Sequence, residues 1–129
     1  NQGDLETLLK PLVDAGVDVI HASNRRFWEP EFEGSTLNLA GWTKKITGLP
    51  TITVGSVGLE SDFIGFYQGE DEVKSAPIDD LVKRMDDEEF DMVAVGRALL
   101  SDPEWVNKVR EGRYDEVIPF SKKHAENYY

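Results

Sequence analysis

Two short segments of this chain carry the residue types that hold an anion. Gly55, Ser56, Val57 and Gly58 follow the run Thr51–Val54, and Gly96 and Arg97 follow the run Phe90–Val95. Glycine lets a backbone approach a ligand that a side chain would hold off. The Ser56 hydroxyl and the neighbouring amides can donate to phosphate oxygens, and the Arg97 guanidinium can form paired, charge-assisted bonds to the same group. The same residues also suit a plainer role, in which the glycines permit tight turns and Arg97 pairs with a surface carboxylate. Spacing alone leaves both readings open.

A second cluster follows the run Val17–Ile20, in the stretch His21-Ala22-Ser23-Asn24-Arg25-Arg26-Phe27-Trp28. By residue type alone, the adjacent Arg25 and Arg26 read as a solvated or ion-paired surface and Trp28 as loop packing. His21 can titrate near neutral pH, yet a hydrogen-bonded packing role is expected for it. The second histidine, His124, stands in a polar tail, so no metal-ligand cluster is expected. The acidic run Glu70-Asp71-Glu72 lacks the spacing of a calcium loop and reads as solvated. With no cysteine in the chain, disulfides, thiolate metal sites and cysteine nucleophiles are excluded.

The elements that must position these residues are legible from periodicity. Leu5, Leu8, Leu9, Leu12 and Val13 recur at helical spacing and Gly16 follows as a helix stop, with Pro11 an awkward guest inside the pattern. The β-branched runs at Val17–Ser23, Thr51–Val54 and Phe90–Val95 read as buried parallel strands. Between them, Leu37–Ile46 forms a helix stopped near Gly48, and Ile78, Leu81, Val82 and Met85 mark another. Trp42 and Trp105 fall in helical stripes and read as packing residues. The connection from Glu60 to Pro77 is longer than an ordinary strand-to-helix loop and reads as an insertion. Alternating helices and strands imply an α/β fold with a parallel sheet. In (β/α)8 barrels the loops after the last two strands commonly form a phosphate site, but a whole barrel needs roughly 250 residues. This chain has 129.

The net charge of −11 opposes nucleic acid or an anionic membrane as a general partner. No apolar run approaches the roughly 18 residues of a membrane span, and the first residues do not look like a signal peptide. A cytoplasmic location is expected. The chain does not open on methionine, which fits a fragment of a longer protein.

Three stretches, "GVDVIHAS" (16–23), "PTITVGSVGL" (50–59) and "FDMVAVGRALLSDPEWVNKVREGR" (90–113), together resemble the C-terminal part of Old Yellow Enzyme-type, FMN-dependent NAD(P)H:flavin oxidoreductases. The resemblance runs through nearly the whole chain. It implies a partial (β/α)8 TIM barrel, with the three strands in the order of barrel strands six, seven and eight. Residues 1–129 would be one partial-barrel segment carrying the phosphate site, with residues 112–129 as a C-terminal tail and a mobile end. It further implies Gly55, Ser56, Gly96 and Arg97 as the shell around the FMN phosphate, with Val57 beside the flavin. Ser23, Arg25 and Trp28 would lie on the substrate side.

In the complete enzyme, FMN reduced by NADH or NADPH would pass hydride to an electron-poor alkene such as an α,β-unsaturated carbonyl compound. The family's acceptor-binding histidine pair and its proton-donating tyrosine come from earlier strands that this sequence lacks. None of Tyr67, Tyr114, Tyr128 and Tyr129 matches that donor by position, and no catalytic residue is assigned. A partial barrel exposes sheet edges, so a complement is expected, either the N-terminal half of the barrel or another copy of the chain. The isolated chain would then be inactive. Two rivals stand beside this reading: a noncatalytic phosphate-binding or partner-pairing module, and a different barrel enzyme acting on a phosphorylated metabolite.

Overall fold

The computed structural model describes residues 1–60 and 72–126 and divides into two compact units, one of Asn1–Gly55 with Asp79–Ala94, the other of Ser56–Ile78 with Val95–Tyr129. The fold is α/β, as the alternation of patterns predicts.

In the first unit, helix α1 spans Gln2–Asp14, strand β1 Ile20–Ser23, helix α2 Leu39–Thr47, strand β2 Thr51–Val54, helix α3 Asp79–Asp86 and strand β4 Met92–Val93. The three strands form one parallel sheet in the order β1-β2-β4, with Ile20 opposite Thr51 and Ile52 opposite Met92. β4 is shorter than its apolar run. Even so, the Asp91 amide donates to the Thr51 carbonyl at 2.9 Å and the Ala94 amide to the Thr53 carbonyl at 2.8 Å, so the pairing continues on both sides of it.

Helix α1 runs through Pro11 without a break. The missing N–H forfeits one bond near the helix end, on an exposed face, and that is too little to stop the helix. Helix α2 is fixed at both ends: Asn38 caps its start, accepting from the Gly41 amide, and Gly48 closes it in the left-handed region at φ +68°.

Strand β2 departs from the expectation of a simple apolar run. Its fully buried residues are Thr51 and Thr53, while Ile52 and Val54 are half-buried on the other face. Burial of two hydroxyls is stabilised by bonds: Thr51 Oγ1 donates to the Leu49 carbonyl at 3.0 Å, and Thr53 Oγ1 accepts from Asn38 Nδ2 at 3.2 Å. Asn38 Nδ2 also donates to the Phe27 carbonyl at 2.8 Å. One buried amide therefore ties the loop after β1, the start of α2 and β2 together. Leu9, Ala22, Phe27, Ala40, Trp42, Leu81 and Phe90 supply the apolar core of this unit.

The second unit contains strand β3 (Glu72–Val73), helix α4 (Arg97–Ser101), helix α5 (Trp105–Arg110), a 3-10 turn at Tyr114–Glu116, strand β5 (Phe120–Ser121) and helix α6 (Lys122–Glu126). β3 and β5 pair antiparallel, with Val73 opposite Phe120. Within the expected C-terminal tail, the described residues as far as 126 include these defined elements. The polar sequence concealed this because its order comes from pairing with a distant strand rather than from its own periodicity. The expected insertion also begins and ends in structure. The Ala76 amide donates to the Gly58 carbonyl at 2.9 Å and the Glu60 amide donates to the Lys74 carbonyl at 3.0 Å.

Candidate functional site

Both halves of the predicted anion cradle have representatives in the second unit. Ser56 takes a left-handed backbone conformation, φ +52°, which few non-glycine residues adopt. Its hydroxyl oxygen accepts a hydrogen bond from Arg97 Nη2 at 3.3 Å, although the two residues are 41 positions apart. The Arg97 guanidinium carbon also lies 5.7 Å from the centre of the Phe120 ring. A hydroxyl that accepts from a guanidinium can still donate its own hydrogen to an anion, so the pair joins a donor and a fixed positive charge.

The three glycines differ in what they are for. At Gly96 a Cβ would meet nothing within 4 Å, so packing does not demand glycine there and the space beside the backbone is open. Gly55, in the first unit, has φ +140°, and a Cβ would fall 2.7 Å from the Asn24 carbonyl oxygen and 3.0 Å from the Phe27 nitrogen. It allows the end of β2 to pass close under the loop after β1. Gly58 has φ +71°, and a Cβ would fall 2.6 Å from the Trp105 indole. Val57 is buried.

The segment after Arg97 is organised by Asp102, first residue of an Asp-Pro-Glu string expected to be the cap and first turn of a helix. Asp102 is 1% exposed. Its carboxylate accepts from Lys108 Nζ at 2.8 Å, the Ile118 amide at 3.0 Å and the Glu104 amide at 3.1 Å. Burial by itself pushes this carboxyl up, but the bond from Lys108, the Ile118 amide, the Lys108 charge and the Glu104 amide outweigh it and hold it below the usual carboxylate range. Four residues after Arg97, Ser101 Oγ shares a hydrogen bond with His124 Nδ1 at 2.7 Å. The only signal in the sequence was the Asp-Pro-Glu string, which reads as a helix start.

The residues expected on the substrate side belong to the first unit. Ser23, the last residue of β1, and Arg25, just beyond it, are exposed, and Trp28 is half-buried, edge-on to Phe27 with ring centres 5.1 Å apart. Arg26 pairs with Glu29. His21 is exposed, contrary to the packing role expected of it, because the alternation of the strand turns Ala22 inward and His21 outward. Arg84 is bonded to Asp80 at 2.9 Å, to Glu89 at 3.1 Å and to the Thr36 carbonyl at 3.1 Å.

Trp42 and Trp105 are buried in helices, as their stripes predict. Tyr114 opens the 3-10 turn, whereas Tyr67, Tyr128 and Tyr129, with Glu70 and Asp71, lie outside the described residues. Among the described residues no three histidine, aspartate or glutamate side chains group as a metal site, and no helix is long and apolar enough to cross a membrane.

The chain is similar to an NADH oxidase from Thermoanaerobacter brockii, with 35% identity over 118 residues. The match takes in 85% of this chain but 15% of that relative, so the chain spans a small part of the protein it matches. No model of a known protein family matches it.

Proposed function

We propose that this chain is the FMN-phosphate-binding segment of an NAD(P)H:flavin oxidoreductase of the Old Yellow Enzyme type, the last three βα units of a (β/α)8 barrel. The observation that carries the reading is the Arg97–Ser56 hydrogen bond, 3.3 Å long, which links the segment after β2 to the segment after β4. The similarity to an NADH oxidase over 85% of the chain supports the same class of chemistry. Ser56 and Arg97, with the open backbone at Gly96 and with Gly55 preceding Ser56, would hold the phosphate, and Val57 would stand near the flavin.

The chemistry present fits the group. A dianionic phosphate needs hydrogen-bond donors and a positive charge, and this cradle offers a hydroxyl, a guanidinium and unhindered backbone. Bound there, FMN would take hydride from NADH or NADPH and deliver it to an electron-poor alkene. The chain's own share is to fix the phosphate end and so orient the ring system; Ser23, Arg25 and Trp28 would face the acceptor.

The rest of the barrel would come from N-terminal sequence or from a second copy. Support lies in the first unit, where the sheet ends on β1 and β4 and leaves Met92 and Val19 more than a third exposed, and where Ile52 and Val54 form an apolar second face on β2. The test is to express the completed barrel and its Arg97→Ala form and compare bound flavin after purification. Equal FMN content in the two would remove Arg97 from the site.

A further inference from the structure

The C-terminal segment meets helix α4 at two places. Phe120 lies 5.7 Å from the Arg97 guanidinium, and His124 bonds Ser101 at 2.7 Å. Arg97 and Ser101 are the first and last residues of α4, so both ends of the helix rest on the same short segment. That segment is not loose. β5 is paired to β3, which sets Phe120 by backbone bonds, and Phe120 is 2% exposed.

Such an arrangement does more than fill space. An aromatic face within about 6 Å attracts a guanidinium and limits the rotamers open to a long, flexible side chain. Arginine loses much rotamer freedom when held, and fixing it before a ligand arrives spares the ligand that cost. Burial of the ring makes the contact stronger than it would be at an exposed surface. Nη2 of the same guanidinium donates to Ser56 Oγ at 3.3 Å.

We infer that Phe120 is a positioning residue for the anion site, holding the Arg97 guanidinium toward Ser56, with the His124–Ser101 bond anchoring the far end of α4. The C-terminal segment is therefore part of the phosphate-binding machinery rather than an appendage to it. This rests on the reading of Arg97 as a phosphate ligand.

The experiment uses the completed enzyme and two probes, FMN and riboflavin, which differ by the phosphate. Phe120→Leu keeps the site apolar but removes the ring face. Affinity for FMN should fall about three- to tenfold while affinity for riboflavin stays unchanged, and Phe120→Tyr should restore FMN binding to within about twofold of the parent. A loss shared equally by both flavins, or no loss for either, overturns the inference, since a merely structural role would not single out the phosphate. If Phe120→Leu does not fold, Ser101→Ala provides the same comparison with the same two outcomes. Arg97→Ala separates this inference from its premise. If Arg97→Ala leaves FMN affinity unchanged, the phosphate reading itself falls; if Arg97→Ala weakens FMN and Phe120→Leu does not, only the positioning role falls.

Discussion

Lys108 Nζ lies 2.8 Å from Oδ2 of Asp102, a carboxylate that also receives the backbone amides of Glu104 and Ile118. The pair fastens α5 and the chain after the 3-10 turn to the end of α4. Because Asp102 is buried, removing its cation leaves a charge without its main partner, and Lys108→Met should cost roughly 2–4 kcal/mol. A urea midpoint shift at unchanged slope is the measurement, and a loss below about 0.5 kcal/mol would show that the amides alone suffice.

The same carboxylate gives the stability a pH dependence whose sign is fixed. Its native pKa is depressed, so its contribution is complete above the unfolded value of about 3.9 and is lost as pH falls through the lower native one. Asp91 acts in the same direction, lowered first by the bond from Lys44 and then by the Thr51 amide. The stability gap between the parent and Lys108→Met should therefore narrow below about pH 4. A gap constant from pH 7 to pH 3 would mean that the interaction is not ionic.

Two glycines should separate folding from binding. Gly58→Ala drives a Cβ into Trp105 at a left-handed backbone position, so it should lose about 2 kcal/mol or more of stability. Gly96→Ala meets no atom, and should lose about 1 kcal/mol, the size of a weakened helix cap, while it weakens FMN binding by crowding the phosphate. Thermal unfolding alongside flavin titration distinguishes the two patterns.

Asn38 is fully buried and satisfies three partners from three segments. Asn38→Ala removes the cap of α2 and strands the Phe27 carbonyl, with an expected loss of about 2–4 kcal/mol. Asn38→Asp keeps the cap acceptor but loses both donors and buries a charge, so it should be worse than alanine. An aspartate variant as stable as the parent would refute this account of the residue. Chemical denaturation of the two variants decides it.

What was legible in the sequence was whatever depends on local pattern. The leucine stripe of α1, the Gly48 stop and the strand runs follow from periodicity and turn chemistry, and the two glycine-ended runs marked Ser56 and Arg97 as candidates for one shared anion. What depends on distant partners was not legible. Asn38 looks like any loop asparagine until Thr53 and Phe27 surround it. Gly58 is one more glycine until Trp105 packs against it, and the order of Phe120 depends on a strand whose pairing no local pattern announces. Alternation on β1 could have placed His21 outward, since Ala22 is the residue the core accepts.

The most direct test of the central claim compares FMN with riboflavin in the completed enzyme and in its Arg97→Ala form. The account predicts that the parent prefers FMN, and that the substitution weakens FMN by about 10- to 100-fold while leaving riboflavin binding as it was, the size expected for charge-assisted bonds to one phosphate. A preference for FMN that survives undiminished in Arg97→Ala would contradict it.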